Sequence, residues 1–182
     1  MKHLDFVREY DNVILPLFCD RLIQVFEESE SKVIVNNEYK PFFTELNLNQ
    51  HSPDIVEHLV YLILSATHKY KNDVQQTGFF PKRLGLEELR VKRYNAGTGE
   101  RFDEHVDVAS LDGAKRYLAF ICYLNDDFTG GETTFGDKTI TPSKGKVVVF
   151  PPTWQYPHAG LPVDTGTKYI MSTYLNYLPD DK

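Results

Sequence analysis

The sequence predicts a mainly β protein, a sandwich or jelly roll, with helices from its first part packed against one outer face. Two observations carry this. From residue 86 onward, short strand-like stretches recur at even spacing between turn residues. Before residue 75, apolar residues recur at helical spacing instead. Composition agrees: aromatic residues make up 13% of the 182, a share that favours β-structure and an aromatic-lined cavity.

The first helix is expected over 16–29. Pro16 suits its first turn, where a missing N–H costs nothing. Leu17, Phe18, Leu22, Val25 and Phe26 then follow at helical intervals. Residues 33–35 read as a short strand. Ser52-Pro53-Asp54 opens a second helix, with Ser52 as N-cap, Pro53 at the first position and an acid in the first turn. Its apolar stripe is Ile55, Val56, Leu59, Leu62, Ile63 and Ala66, and it ends near Lys71. The stretch 71–86 is polar and broken by Gly78, Pro81 and Gly85, so it reads as a long mobile loop and a candidate lid. Phe79, Phe80 and Arg83 are its candidate substrate contacts. Strands are expected over 88–95, 102–108, 116–125, 132–135, 138–141, 146–150, 156–159 and 168–178. The length suits one domain over 1–182, with a helical support region at 1–75 and a jelly-roll core at 86–178.

Charge narrows the partners. A net charge of −6 and a pI of about 5.5 leave no basic stripe to neutralise phosphates, so no nucleic-acid partner is expected. The basic pairs Lys82-Arg83, Lys92-Arg93 and Lys115-Arg116 are flanked by acids and read as solvated edges. Cys19 lies in an apolar helical pattern and Cys122 in an apolar strand. Both read as core thiols, which fits a reducing compartment. The N-terminal residues lack the apolar segment of a signal peptide, and no apolar run reaches the roughly 18 residues of a membrane span. A cytoplasmic protein without a membrane partner is the expectation; oligomeric state is left open.

The chemistry concentrates in His105-Val106-Asp107, His158 and Lys168. In a strand, residues i and i+2 share a face, so His105 and Asp107 project together. His158 is expected from a later strand near the other end of the sheet. Two neutral imidazoles and one carboxylate on one face of a metal leave other coordination positions open, which suits non-haem Fe(II). Lys168 shares a face of the last strand with Ile170, Ser172 and Tyr174. A lysine on an inward face is costly to bury unpaired, and a bound dicarboxylate is a natural partner. Ala119, Ile121 and Tyr123 share a face of the 116–125 strand and can present a phenol to the same ligand. His3, His51, His58 and His68 have no partners at telling spacings.

The chain resembles the Fe(II)/2-oxoglutarate-dependent oxygenases, and within them the prolyl 4-hydroxylase branch. The resemblance runs through Pro16-Leu17-Phe18-Cys19-Asp20, Arg93-Tyr94-Asn95-Ala96-Gly97, His105-Val106-Asp107 and Tyr123-Leu124-Asn125-Asp126. It continues through Gly130-Gly131-Glu132-Thr133-Thr134-Phe135, Lys144-Gly145-Lys146-Val147-Val148-Val149-Phe150, Pro157-His158-Ala159-Gly160-Leu161-Pro162-Val163 and Gly166-Thr167-Lys168. It implies a double-stranded β-helix with supporting α-helices on one face. It implies that His105, Asp107 and His158 bind Fe(II), and that Lys168 pairs with the distal carboxylate of 2-oxoglutarate. Tyr123 matches a tyrosine bonded to that carboxylate, Ser172 stands where the family usually has threonine, Tyr94 lies near the cosubstrate and substrate entrance, and Tyr174 lines the pocket. The implied reaction hydroxylates a prolyl residue of a peptide or protein, consumes O2 and releases succinate and CO2, with ascorbate as candidate reductant. Peptide-binding and regulatory extensions found in animal members are missing, so the chain looks like a minimal microbial or viral catalytic domain. The competing readings keep the chemistry on a free amino acid, a small molecule or another protein side chain, or reduce the protein to a jelly roll that binds without turnover. A nucleic-acid demethylase fits the acidic charge poorly.

Overall fold

The structure, a computed structural model, describes residues 3–36, 41–75 and 77–179. The first part contains β1 (Arg8–Tyr10), α1 (Pro16–Glu28), β2 (Val33–Asn36), β3 (Phe42–Asn47), α2 (Leu48–His51) and α3 (Pro53–Asp73). Then come β4 (Leu84–Leu86), β5 (Arg90–Asn95), β6 (Phe102–His105), β7 (Arg116–Tyr123), β8 (Thr129–Gly130), β9 (Thr133–Phe135) and β10 (Lys138–Ile140). The chain closes with β11 (Val147–Phe150), β12 (His158–Gly160), β13 (Val163–Thr165) and β14 (Thr167–Tyr177).

Two antiparallel sheets face each other in the jelly-roll arrangement. The larger has the order β1-β11-β7-β14-β5-β3-β2, with β4 paired to β14, and the smaller the order β10-β9-β12-β6. β8 and β13 form a separate pair. The middle strands β11 and β7 of the larger sheet are buried on both faces, which explains why they read as continuous apolar runs. Val147 and Val149 of β11 join Leu118, Phe120 and Cys122 of β7 against Cys19, Leu22 and Phe26 of α1 and Leu59, Ile63, Ala66 and Tyr70 of α3. Their alternates, Val148, Phe150, Ala119 and Tyr123, point the other way, into a second core shared with Phe135 and Ile140 of the smaller sheet. Both cysteines are buried free thiols, as expected.

Several expectations need correction. The region 1–75 is not only helical: β1, β2 and β3 extend the larger sheet at both ends. The stretch 71–86 is not one mobile loop. α3 continues to Asp73, residues 77–79 form a 3-10 turn, and β4 pairs with Leu175–Tyr177 of β14. Phe80 packs against Tyr70 and Tyr117, which removes it as a free substrate contact, whereas Phe79 is 82% exposed. Ser52 precedes α3 as expected, but its carbonyl, not its hydroxyl, receives the first helical N–H groups. Among the described residues, no helix is long and apolar enough to cross a membrane.

Gly145 fastens the N-terminal segment to the barrel. Its carbonyl accepts the N–H groups of Val13 and Ile14, and its own N–H donates to the Tyr123 carbonyl. Its φ is +84°, and a Cβ there would stand 2.2 Å from the Ile14 carbonyl oxygen. That contact is with backbone and cannot be relieved by a rotamer change. Gly145→Ala is therefore expected to cost about 2–4 kcal/mol and to lower Tm by about 5–10 °C in a thermal melt.

Candidate active site

The site begins with a strand pair. β12 lies directly beside β6 in the smaller sheet, and His158 is the Cα partner of His105. The expectation that His158 comes from the far end of the sheet is thus corrected: the two imidazoles are cross-strand neighbours, with ring centroids 4.3 Å apart. β6 ends at His105, so Asp107 is supplied by a bend and not by the strand predicted to run to residue 108. The bend still brings Asp107 to the pair. One ligand atom from each of His105, Asp107 and His158 can be chosen so that all lie within 4.8 Å of one another.

Backbone carbonyls orient both rings. His105 Nδ1 lies 2.8 Å from the Asp103 oxygen and His158 Nδ1 lies 3.1 Å from the Tyr156 oxygen. With those nitrogens donating, each Nε2 presents its lone pair inward. His105 Nε2 is 3.8 Å from Asp107 Oδ1, and His158 Nε2 is 3.7 Å from Oδ2. Burial first, then the neighbouring His158 and Lys92, push the His105 pKa down to about 4, so its imidazole is neutral near neutral pH. Asp107 Oδ2 is buried without a hydrogen-bond partner among the described residues. Two inward-facing imidazole nitrogens and an orphaned carboxylate oxygen, close together, fit a divalent cation that favours nitrogen and oxygen donors.

A bulge in β6 supplies further support. Gly160 pairs with Phe102 while His158 pairs with His105, so three steps on β6 oppose two on β12. Phe102 and His105 thereby reach one face and stack at 3.5 Å and 9°. Tyr174 donates its hydroxyl to Asp107 Oδ1 at 2.5 Å. Arg116 donates to the Asp107 carbonyl at 3.1 Å, covers the Tyr174 ring at 3.9 Å and makes a two-pronged pair with Glu87.

Lys168 lies deeper in the same cavity, 1% exposed. Its ammonium donates to the Gly131 carbonyl at 2.5 Å and sits 5.1 Å from the Tyr94 ring and 5.7 Å from the Tyr123 ring. No carboxylate of the described residues lies within ion-pair distance of it. Burial lowers its pKa to about 7. Tyr123 donates to the Thr133 hydroxyl at 2.7 Å. Ser172 lines the cavity too, four residues and roughly 13 Å of strand beyond Lys168. Its hydroxyl makes no hydrogen bond among the described residues, and its ladder partner on β7 is Ile121. The space among these side chains is narrow, about 40 Å³, and it opens to solvent.

Of the site candidates from the sequence, His105, Asp107, His158, Lys168, Ser172, Tyr94 and Tyr174 line this cavity, and Tyr123 stands behind it beside Lys168. Sequence reasoning missed Thr133, Phe102 and Lys92, which also line it. Thr133 lay within a quoted motif, but nothing in its spacing marked it. Phe102 is three residues from His105, a separation that a regular strand would place on opposite faces.

Residues 89–176 match the family model of the 2OG-Fe(II) oxygenase superfamily. These residues form a 2OG-Fe(II) oxygenase domain, so the chain carries an oxygenase that uses Fe(II), 2-oxoglutarate and O2. The fold is similar to that of the viral collagen prolyl hydroxylase from Paramecium Bursaria Chlorella virus-1 in its 2OG complex, with TM-score 0.69, 21% identity and coverage of 95% of this chain and 97% of that one. A Pseudomonas putida prolyl-4-hydroxylase gives 0.71, 16%, 96% and 94%. The Trichoplax adhaerens prolyl hydroxylase, in complex with a hypoxia inducible factor oxygen degradation domain peptide fragment, gives 0.74, 13%, 94% and 84%. At these identities the likeness is one of fold. No curated protein matches the sequence.

The buried ammonium makes a signed prediction. A folded pKa of about 7, below the ordinary 10.5, means that the unfolded chain binds more protons between those values. Lys168 then costs stability fully below about pH 7, and the cost fades as pH rises toward 10.5. Lys168→Met is expected to melt above the wild type at pH 7 without cosubstrate, and the gap should close by about pH 10. A gap independent of pH in paired thermal melts would contradict this.

Proposed function

We propose that this oxygenase hydroxylates a prolyl residue in a peptide or protein, with His105, Asp107 and His158 holding Fe(II) and Lys168 holding the distal carboxylate of 2-oxoglutarate. One observation carries the assignment of roles: a fully buried lysine without a carboxylate partner shares a cavity with a converging His-Asp-His cluster. A buried charge persists when a ligand compensates it. The prolyl part of the reading is supported by the three compared structures, each described as a prolyl hydroxylase and each sharing the fold over nearly the whole chain.

Bound Fe(II), with O2 and 2-oxoglutarate, supplies the oxidising chemistry, which releases succinate and CO2. The chain's own residues bind, orient and exclude water. The backbone bonds at both Nδ1 atoms hold the imidazoles in the tautomer that leaves Nε2 free. Tyr174 and Arg116 fix Asp107 from both sides, through its side chain and its carbonyl. Phe102, Phe135 and Phe150 pack on the imidazoles and keep their surroundings dry. Lys168, flanked by Tyr94 and Tyr123, sets the depth to which a dicarboxylate enters. No side chain is required as a general base. Ascorbate enters only as the reductant expected from the family resemblance.

The test is mass spectrometry of proline-rich peptides incubated with Fe(II)-loaded protein and 2-oxoglutarate. The expected outcome is a gain of one oxygen atom on proline, with matching succinate. A gain on free proline alone, or on another side chain, removes the prolyl-peptide reading while leaving the oxygenase intact. His105→Ala and Asp107→Ala should abolish both products and reduce Fe(II) affinity in a chelator competition. Lys168→Met should raise the KM for 2-oxoglutarate by about a hundredfold or more, because the distal carboxylate would lose its buried counter-charge.

A further inference from the structure

The cavity contains a second lysine that the cosubstrate does not account for. Lys92 lies on the concave face of β5, with Glu45 of β3 and Ile170 of β14 as cross-strand neighbours. It lines the cavity together with His105, Asp107 and Lys168. On the β5–β14 ladder Lys168 pairs with Tyr94, and Lys92 stands two residues away, roughly 7 Å nearer the end where Tyr174 meets Asp107. The two cations therefore occupy different levels of one pocket.

The Lys92 ammonium rests 4.9 Å from the Phe43 ring and forms no ion pair or hydrogen bond among the described residues. The acids around it are engaged elsewhere. Glu45 lies 3.8 Å from Arg90, Glu87 is held by Arg116, and Asp107 accepts from Tyr174 and faces the two imidazoles. Burial lowers the Lys92 pKa, opposed by Glu45 and Asp107 and reinforced by Arg90 and Arg116. An ammonium kept on an aromatic face beside a metal site, with its neighbouring acids committed, is placed for an anion that arrives from outside. In the reading above, Lys168 takes the distal carboxylate of 2-oxoglutarate and the divalent cation neutralises the other end. What remains for Lys92 is the substrate.

We propose that Lys92 sets substrate specificity by receiving a substrate carboxylate adjacent to the carbon that is hydroxylated. That carboxylate is either the α-carboxylate of the target residue or the acidic side chain of its neighbour in a peptide. The proposal rests on the oxygenase reading of the site but not on proline being the target.

The experiment compares wild type, Lys92→Met and Lys92→Arg, each loaded with 2-oxoglutarate and either Fe(II) for succinate release or Mn(II) for binding calorimetry. Lys92→Met keeps the length and apolar stem that covers Phe43 and removes the charge. The probes are N-acetylated amino acids covering every standard side chain, each as free acid and as amide. A second arm uses C-terminally amidated peptides in which the target residue is followed by Asp or by Asn. The wild type should bind and turn over the carboxylate form at least about tenfold better than its neutral counterpart in one arm, and that arm identifies the source. Lys92→Met should lose the preference with its 2-oxoglutarate KM unchanged within about twofold, and Lys92→Arg should keep most of it. The proposal is overturned by equal treatment of acid and neutral forms in both arms, including no binding of any probe. It is also overturned if Lys92→Met raises the 2-oxoglutarate KM and leaves the preference intact, which would assign Lys92 to the cosubstrate. A preference shown only by non-prolyl probes removes the prolyl reading and leaves the role of Lys92 standing.

Discussion

Antiparallel pairing of β12 with β6 is the constraint on which the rest of the site depends. It sets His158 opposite His105, so two side chains more than fifty residues apart become neighbours on a ladder. A cross-strand pair is held by backbone hydrogen bonds, which fixes its separation more tightly than side-chain packing alone. The bulge between these strands then turns Phe102 onto the same face, and the bend after β6 delivers Asp107. Each later feature, from the Tyr174 bond to the aromatic floor of Phe135 and Phe150, acts on a geometry that this pairing has already set.

The larger sheet supplies the lysines that line the cavity. Its concave face presents Lys168 and Lys92 between aromatic rings, while its convex face is sealed by α1 and α3. The convex face buries Val147, Val149, Phe120 and Cys122 without polar compromise. That packing offsets the desolvation of cations on the opposite face, and stability is thereby exchanged for binding capacity. The N-terminal strand β1 closes the sheet edge beside β11, and Gly145 admits the chain between them.

Much of this could be read from the chain. Strand periodicity put Ala119, Ile121 and Tyr123 on one face and Lys168, Ile170, Ser172 and Tyr174 on another, and both faces line or adjoin the cavity. β1, β3 and β4 escaped notice. β1 and β4 are three residues each, too short for a period to register, and β3, Phe42-Phe43-Thr44-Glu45-Leu46-Asn47, keeps no strict alternation of apolar and polar residues. The stretch 71–86 looked like one loop because its polar residues hide Phe80 and Leu84–Leu86, whose roles depend on distant partners.

The sequence by itself determined the candidate donor set, the main strand faces and the helical cover, because donor chemistry belongs to residue type and facing belongs to local periodicity. Only the tertiary structure decided that His105 and His158 are direct ladder partners, that Asp107 enters from a bend, and that Ser172 stands away from the Lys168 ammonium. It alone decided that Lys92 has no carboxylate to itself. These depend on strand register and on which acids are already engaged, and both are set by pairings between residues tens of positions apart, which no local pattern encodes.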